Sequence, residues 1–323
     1  MLIRATLLAS LVLASATSVC SAQAQETVNY GVQPATMPIY IAKALGLLDP
    51  IEKKRNIKII FRSFSYGAPE NQALAAGELQ IASAGMGPAV IAAARLPATL
   101  VAISILEQTA LLVPKDSAIK SVAELNGKRI AFPGEGSQQY PLLLKALADV
   151  GLKQDDVQLF KTDGAQIPTL LMSKSVDAGI TWDPHVSNAL AAGHSRVLMK
   201  AEKIMPIMQG HYVGNGEYVH NDFLKRRPEV VQDLITANVL AIDHILKDAK
   251  GSAKLWAKEI GFPEQVIDYS LSEGISVYSK NVVPTQATID AYAKFLKDAK
   301  ILEVTDNPRV EPSFAEKALA EVK

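Results

Sequence analysis

The sequence predicts an α/β protein built from two similar strand and helix blocks followed by a helical tail, and three observations carry that expectation. Strand-like alternation and helix-like periodicity take turns along most of the 323 residues. Polar or glycine-containing loops follow the strands at Gln33 to Met37, Ser65 to Gly67 and Gly85 to Gly87. Midway, Asp116 to Leu152 restarts the pattern as a short capped helix, a strand, a glycine turn and a longer helix.

In order, Glu26 to Val32 reads as the first strand, and a helix over Ile39 to Leu45 ends at Gly46. Ile57 to Phe64 is the second strand, turned by Ser65 to Pro69 into a helix from Glu70 to Ala76. Leu79 to Ser83 is a third, followed by a helix that begins at Pro88, a residue suited to a first helical position. Thr99 to Ile105 is a fourth. In the central stretch, Ser121 with Glu124 has the spacing of a capping box, and Gly127 stops the helix. Lys128 to Phe132 is then a buried strand, Pro133 to Gly136 turns it, and Ser137 stands where it would cap a helix over Gln138 to Val150. Further strands are expected at Val157 to Lys161, Ala178 to Thr181 and Val197 to Met199, with a helix opened by Trp182-Asp183-Pro184. Met208 to Val219 is extended, and long amphipathic helices cover Pro228 to Lys247 and Thr285 to Lys300. So regular an alternation predicts parallel sheets with helices on both faces. Ligands of such sheets bind beyond the carboxyl ends of the strands, so the loops carrying Gln33, Thr36, Met37, Tyr66, Gly85 and Met86 should share one rim.

The start of the chain has a different purpose. Arg4, an apolar run from Ala5 to Val19 and Ala22-Gln23-Ala24 give residues 1–24 the form of a cleaved secretory signal. Cleavage near Ala24 removes Cys20, the only cysteine, so disulfides and thiol chemistry are excluded from the mature chain. Export without cysteine suits a bacterial periplasm. Removing Arg4 from 33 basic and 33 acidic residues leaves a formal charge of −1, which invites neither nucleic acid nor an anionic membrane surface. The roughly 300 residues that remain suffice for two lobes. The sequence has no G-x-S-x-G, H-E-x-x-H or P-loop, and its histidines lack metal-ligand spacing, so neither an enzyme, a metal nor a cofactor is expected.

The chain resembles the periplasmic substrate-binding proteins of ABC importers for sulfonates, taurine, nitrate and thiamine precursors. The matching residues are Pro38, Ala42 and Gly46-Leu47, then Ala73-Leu74, Gly77-Glu78-Leu79 and Ser117 to Lys128. Gly136-Ser137, Gly151-Leu152, Val176-Asp177-Ala178, Trp182-Asp183-Pro184 and Pro228 to Val231 continue the match. The resemblance implies a type II periplasmic binding protein fold with two lobes, residues 25–111 with 212–323 and residues 112–211, hinged at two strand crossings. It also implies a small organic anion, a sulfonate or a carboxylate, aromatic ones included, captured between the lobes and passed by a monomer to an inner-membrane permease and its ATPase. A sensory receptor for a membrane kinase or chemoreceptor, or a binder of a thiamine-precursor-like heterocycle, is the alternative. Departures from the family pattern are Gln80, where aspartate is common, and a Gly85-Met86-Gly87 loop without a hydroxyl. Met86, with Met37 and Tyr66, then favours a ligand with an apolar portion over a small oxyanion.

The candidate ligand-binding residues have two readings each. Ser137 and Gln138 begin a helix, where amides attract an anionic group, or where a hydroxyl simply caps. Trp182, at a strand end, belongs to the core or floors the pocket. Asp183 pairs an amine of the ligand or caps the following helix. His211 and Tyr212 face the cleft if the return crossing lies there, and Glu107-Gln108, before the first crossing, read first as a solvated turn.

Overall fold

The computed structural model describes residues 25–208 and 210–322, so the expected export signal lies outside the described residues. Ten strands form two five-stranded sheets. The first sheet takes β1 (Glu26–Val32), β2 (Ile57–Ser63), β3 (Ile81–Gly85) and β4 (Ala98–Ile105) from the start of the chain. The second takes β5 (Thr109–Pro114), β6 (Arg129–Phe132), β7 (Gln158–Lys161), β8 (Ala178–Trp182) and β9 (Ser195–Lys200). Finally β10 (Asn215–His220) returns to the first.

The two sheets share one wiring: β2-β1-β3-β10-β4 and β7-β6-β8-β5-β9. In each, four strands run the same way, β1 to β4 and β6 to β9, with β1 pairing directly with β2 and β3, and β6 with β7 and β8. The strand that has just crossed from the other sheet is inserted antiparallel, β10 between β3 and β4, and β5 between β8 and β9. The sheets are therefore mixed, which corrects the expectation of purely parallel ones. The crossing chain arrives at the end of the sheet where the parallel strands finish, so it can only run back against them.

Local chemistry produces these elements much as read. Gly46, Gly77 and Gly127 close helices with positive φ, where a Cβ would be strained. The capping box does not form: Val122–Leu125 is a 3₁₀ turn, and Glu124 accepts directly from the Ser121 hydroxyl at 3.0 Å and from Lys120 N–H at 3.2 Å. Ser137 is no helix cap either, because its hydroxyl donates to Gly134 O at 2.7 Å, and the helix begins later, at Gln139–Ala148. The 20-residue helix Pro228–Lys247 buries Val231, Leu234, Ile235, Ala241 and Ile242 against the first sheet's core. One apolar cluster runs continuously from Ala84 and Met86 through Leu111 and Leu142 to Tyr212 and Tyr292, so it joins elements of both sheets. Among the described residues no helix is long and apolar enough to cross a membrane.

Candidate functional site

The carboxyl ends of the parallel strands of both sheets face one another across a cleft. Gln33 follows β1, Tyr66 follows β2 and Gly85 ends β3, while Ser137 and Gln138 follow β6 and Trp182 ends β8. These six candidates line one small cavity, together with Gly67, Pro88, Gln108 and Gln139. Its free space is about 10 Å³, room for roughly one water molecule.

The lobes are shut upon each other there. Gln138 reaches across so that its Oε1 accepts from Met86 N–H at 2.6 Å, and its side chain packs on Gly85. A Cβ on Gly136 would overlap that of Ala68 from the opposite rim. Glycine is needed here because of this close approach, its φ being unexceptional. An outer cavity of about 210 Å³ shares Tyr66 and adds Lys161, whose ammonium pairs with Glu135 at 2.7 Å. A larger groove, about 1000 Å³, lies between helices Gln139–Ala148 and Gln286–Asp298 and is lined by none of the candidate residues.

No charged side chain lines the inner cavity. Most of its polar atoms are occupied: Gln33 Nε2 donates to Glu70 at 2.8 Å, and Gln139 Nε2 to Thr109 Oγ1 at 3.1 Å. Gln108 donates from Nε2 to Asn215 Oδ1. Two atoms are not: Trp182 Nε1 and Gln108 Oε1 are buried without a hydrogen-bond partner. A buried donor or acceptor left unmatched costs about 1–3 kcal/mol, which a bound group that completed these hydrogen bonds would recover. The Trp182 indole is held edge-on to His185, with ring centroids 5.1 Å apart, and lies against Gly164, where any Cβ would collide with it. Burial pushes Glu70, beneath Gln33, well above the usual carboxylate range, and also raises Glu217, which accepts from the Tyr30 hydroxyl and from Ser83 Oγ at 2.7 Å. Their charged forms are thus disfavoured behind a cavity that itself carries no charge.

The other six candidates do not line this cavity. Met37 and Met86 are fully buried in the two cores, with Met37 O accepting from Trp256 Nε1 at 2.9 Å, so neither methionine faces a rim. Thr36 Oγ1 meets Ser276 Oγ at 2.9 Å, and Ser276 Oγ donates to Asp183 Oδ2 at 3.1 Å. The other oxygen of Asp183 accepts from the Ser187 hydroxyl and from Ser187 N–H at 3.2 Å, in the first turn of helix His185–Ala191. Asp183 therefore ties a second-sheet helix to the first-sheet side, and burial raises its pKa against the pull of these hydrogen bonds. Tyr212 is buried with its hydroxyl on that of Tyr292, and His211 lies at the return crossing, Nδ1 3.6 Å from Glu202 Oε2.

Glu107 and Gln108 form no solvated turn: both are buried, Glu107 accepts from Tyr212 N–H at 2.6 Å, and burial pushes its carboxyl up to about 8. Their burial follows from the crossing itself, which runs between two packed sheets. Gly67, Pro88, Gln108 and Gln139 are the lining residues outside the sequence-derived candidates, and of these the two glutamines bring polar side chains. The signal for Gln139 was its place beside Gln138 at a helix start, and for Gln108 its place one residue before a crossing strand.

The family model described as NMT1/THI5 like matches residues 33–251. The chain belongs to that family. Among relatives in the family's range, the taurine-binding periplasmic protein of Escherichia coli (strain K12) is 30% identical over 208 residues, 64% of this chain and 62% of that protein. Of solved structures, the periplasmic aliphatic sulphonate binding protein SsuA from Escherichia coli superposes with a TM-score of 0.72 at 25% identity, covering 88% of this chain and 94% of that one. The alkanesulfonate-binding protein SsuA from Xanthomonas axonopodis pv. citri, bound to MOPS, gives 0.73 at 25% identity over 92% and 99%. The fold described above is thus the two-lobed one of sulfonate-binding proteins.

Proposed function

We propose that this protein is an exported binding protein that captures a small organic anion, a sulfonate or a carboxylate, between its two lobes and delivers it to an ABC permease. One observation carries the reading: the strand ends of both sheets converge on a cavity whose lining residues Trp182 and Gln108 each carry a buried, unpartnered hydrogen-bonding atom, Nε1 and Oε1. The relatives named for sulfonates and taurine support the ligand class.

The lobes are assigned to the two sheets, with the hinge in residues 106–108 and 201–214. Residues 1–24 act as a signal cleaved near Ala24, and the mature chain works as a monomer in the periplasm without turning its ligand over. An anion would be held without a counter-cation, by the Trp182 N–H, the Tyr66 hydroxyl and the amides that begin helix Gln139–Ala148, whose dipole favours negative charge. Donors of this kind gain strength when the closed lobes exclude water. Lys161 in the outer cavity would draw the anion inward. Because pockets for organic ligands are typically about 300–1,000 Å³, entry needs the lobes to part and Gln138 to leave Met86 N–H. Ligand that contacts both rims then stabilises closure by the difference between its affinities for the shut and open forms. The permease reads that shut form.

A thermal-shift screen of the mature protein against alkanesulfonates, taurine, aromatic carboxylates, amines and pyrimidines tests the reading. A sulfonate or carboxylate should raise the melting temperature in a concentration-dependent way, because binding to the folded form stabilises it by mass action. A response confined to amines or pyrimidines would refute the anion.

A further inference from the structure

We propose that Glu107, Glu202 and His211 form a binding site at the hinge for a divalent transition-metal ion of the zinc type. The three residues come from separate parts of the crossing region: Glu107 between β4 and β5, Glu202 in the helix Ala201–Ile204 after β9, and His211 in the segment leading back to β10. One ligand atom from each lies within 4.8 Å of the other two.

The distances suit a shared ion better than a direct contact. His211 Nδ1 and Glu202 Oε2 are 3.6 Å apart, beyond hydrogen-bond range, and Nδ1 is shut off from solvent with no partner. Two ligands each about 2.0–2.1 Å from a tetrahedral zinc ion sit roughly 3.4 Å from one another. The surrounding contacts orient the set as outer-shell partners of a metal do. Tyr212 N–H donates to Glu107 Oε1 at 2.6 Å, and the His211 backbone is clamped to Met208 in both directions, at 2.9 and 3.0 Å.

Charge points the same way. Glu107 is 2% exposed, and among the described residues no cation bonds to it. Lys200 Nζ is turned to Gly274 O at 3.2 Å, and Lys203 Nζ stands 3.9 Å from the outer oxygen of Glu202. Two carboxylates balance a divalent ion, and the imidazole nitrogen favours zinc over magnesium or calcium, which prefer oxygen alone. Three protein ligands leave the fourth position to water. An ion held here bridges both crossings and so limits the rotation by which the lobes part.

Isothermal titration of the chelator-treated full protein with zinc chloride tests the site. One zinc per chain should bind and raise the melting temperature, and magnesium chloride should do neither. Glu202→Gln and His211→Gln, both at partly exposed positions, should each weaken zinc binding at least about tenfold while the metal-free protein melts as before. His194→Gln and His220→Gln, at histidines outside the cluster, should bind as the parent does. Cobalt(II) in place of zinc should give the intense visible bands of a four-coordinate ion, lost in His211→Gln. No binding by the parent, binding that survives both cluster variants, or equal binding of magnesium would overturn the site.

Discussion

At the rim formed by β1 to β3, the polar side chains that line the cavity or adjoin it are mostly paired within the protein: Gln33 donates to one oxygen of Glu70, Thr36 meets Ser276, and Met86 N–H is taken by Gln138. The other Glu70 oxygen, behind the cavity, is buried without a partner. Across the cleft, at the end of β8 and at the crossing into β5, Trp182 Nε1 and Gln108 Oε1 are buried with no partner at all. Both rims are the carboxyl ends of sheets with the same strand order, so topology does not account for the difference. The comparison teaches that, among the residues lining the cavity, one rim is a finished wall and the other leaves two hydrogen bonds unmet. Affinity should be written mainly into the second, and closure into the contact between them.

Blocking that contact should have the largest effect. Gly136→Val places side-chain atoms where Ala68 already stands, so the lobes cannot shut. Calorimetry should find ligand binding roughly 100-fold weaker, about 2.7 kcal/mol, with a larger radius of gyration by X-ray scattering and an unchanged melt. Full affinity in that variant would separate closure from binding. Trp182→Phe keeps an aromatic side chain and deletes the unmatched donor. Binding should fall about tenfold, while the ligand-free protein melts within a few degrees of the parent, the relief of an unsatisfied buried group offsetting the packing lost with the smaller ring. The corresponding change on the finished wall, Ser276→Ala, should reverse the pattern. It removes one partner of Asp183 and of Thr36, so the loss should be roughly 1.5 kcal/mol of stability in denaturant unfolding, with only a slight change in affinity.

The smallest effect concerns pH. Burial beside Trp182 and Phe262 lowers the His185 pKa to about 4, against 6.5 for a free imidazole. Between those values the unfolded chain binds more protons than the folded one, so stability is complete above about 6.5 and is lost as pH falls toward 4. By pH 5.5 the loss should be roughly 1 kcal/mol. His185→Phe should flatten the melting temperature over that window, and an unchanged slope would place the sensitivity elsewhere.

Much of this site was legible before any coordinates. A glycine or polar loop at the end of an alternating segment marks a strand's carboxyl end, so Gln33, Tyr66, Gly85, Ser137, Gln138 and Trp182 are legible as candidates, and all six line the cavity. The methionines depart from the expectation for a physical reason. Met37 and Met86 share those loops, but loop membership says nothing about whether a side chain turns to the cleft or back into the core, and both turned back. Asp183 shows the same limit: its neighbours in sequence suggest a helix cap, while its second oxygen is engaged by Ser276, 93 residues away.

By itself the sequence determined the alternation of strands and helices, the glycines that end them, the absence of a cysteine after Cys20 and the resemblance to a binding-protein family. Each is a local or compositional property, set by periodicity, backbone freedom or residue type. Only the tertiary structure decided that β5 and β10 run antiparallel inside otherwise parallel sheets, that the cavity carries no charge, and that Trp182 and Gln108 are the groups without partners. Those depend on which distant surfaces meet, and hydrogen bonds between residues far apart in the chain leave no trace in its periodicity.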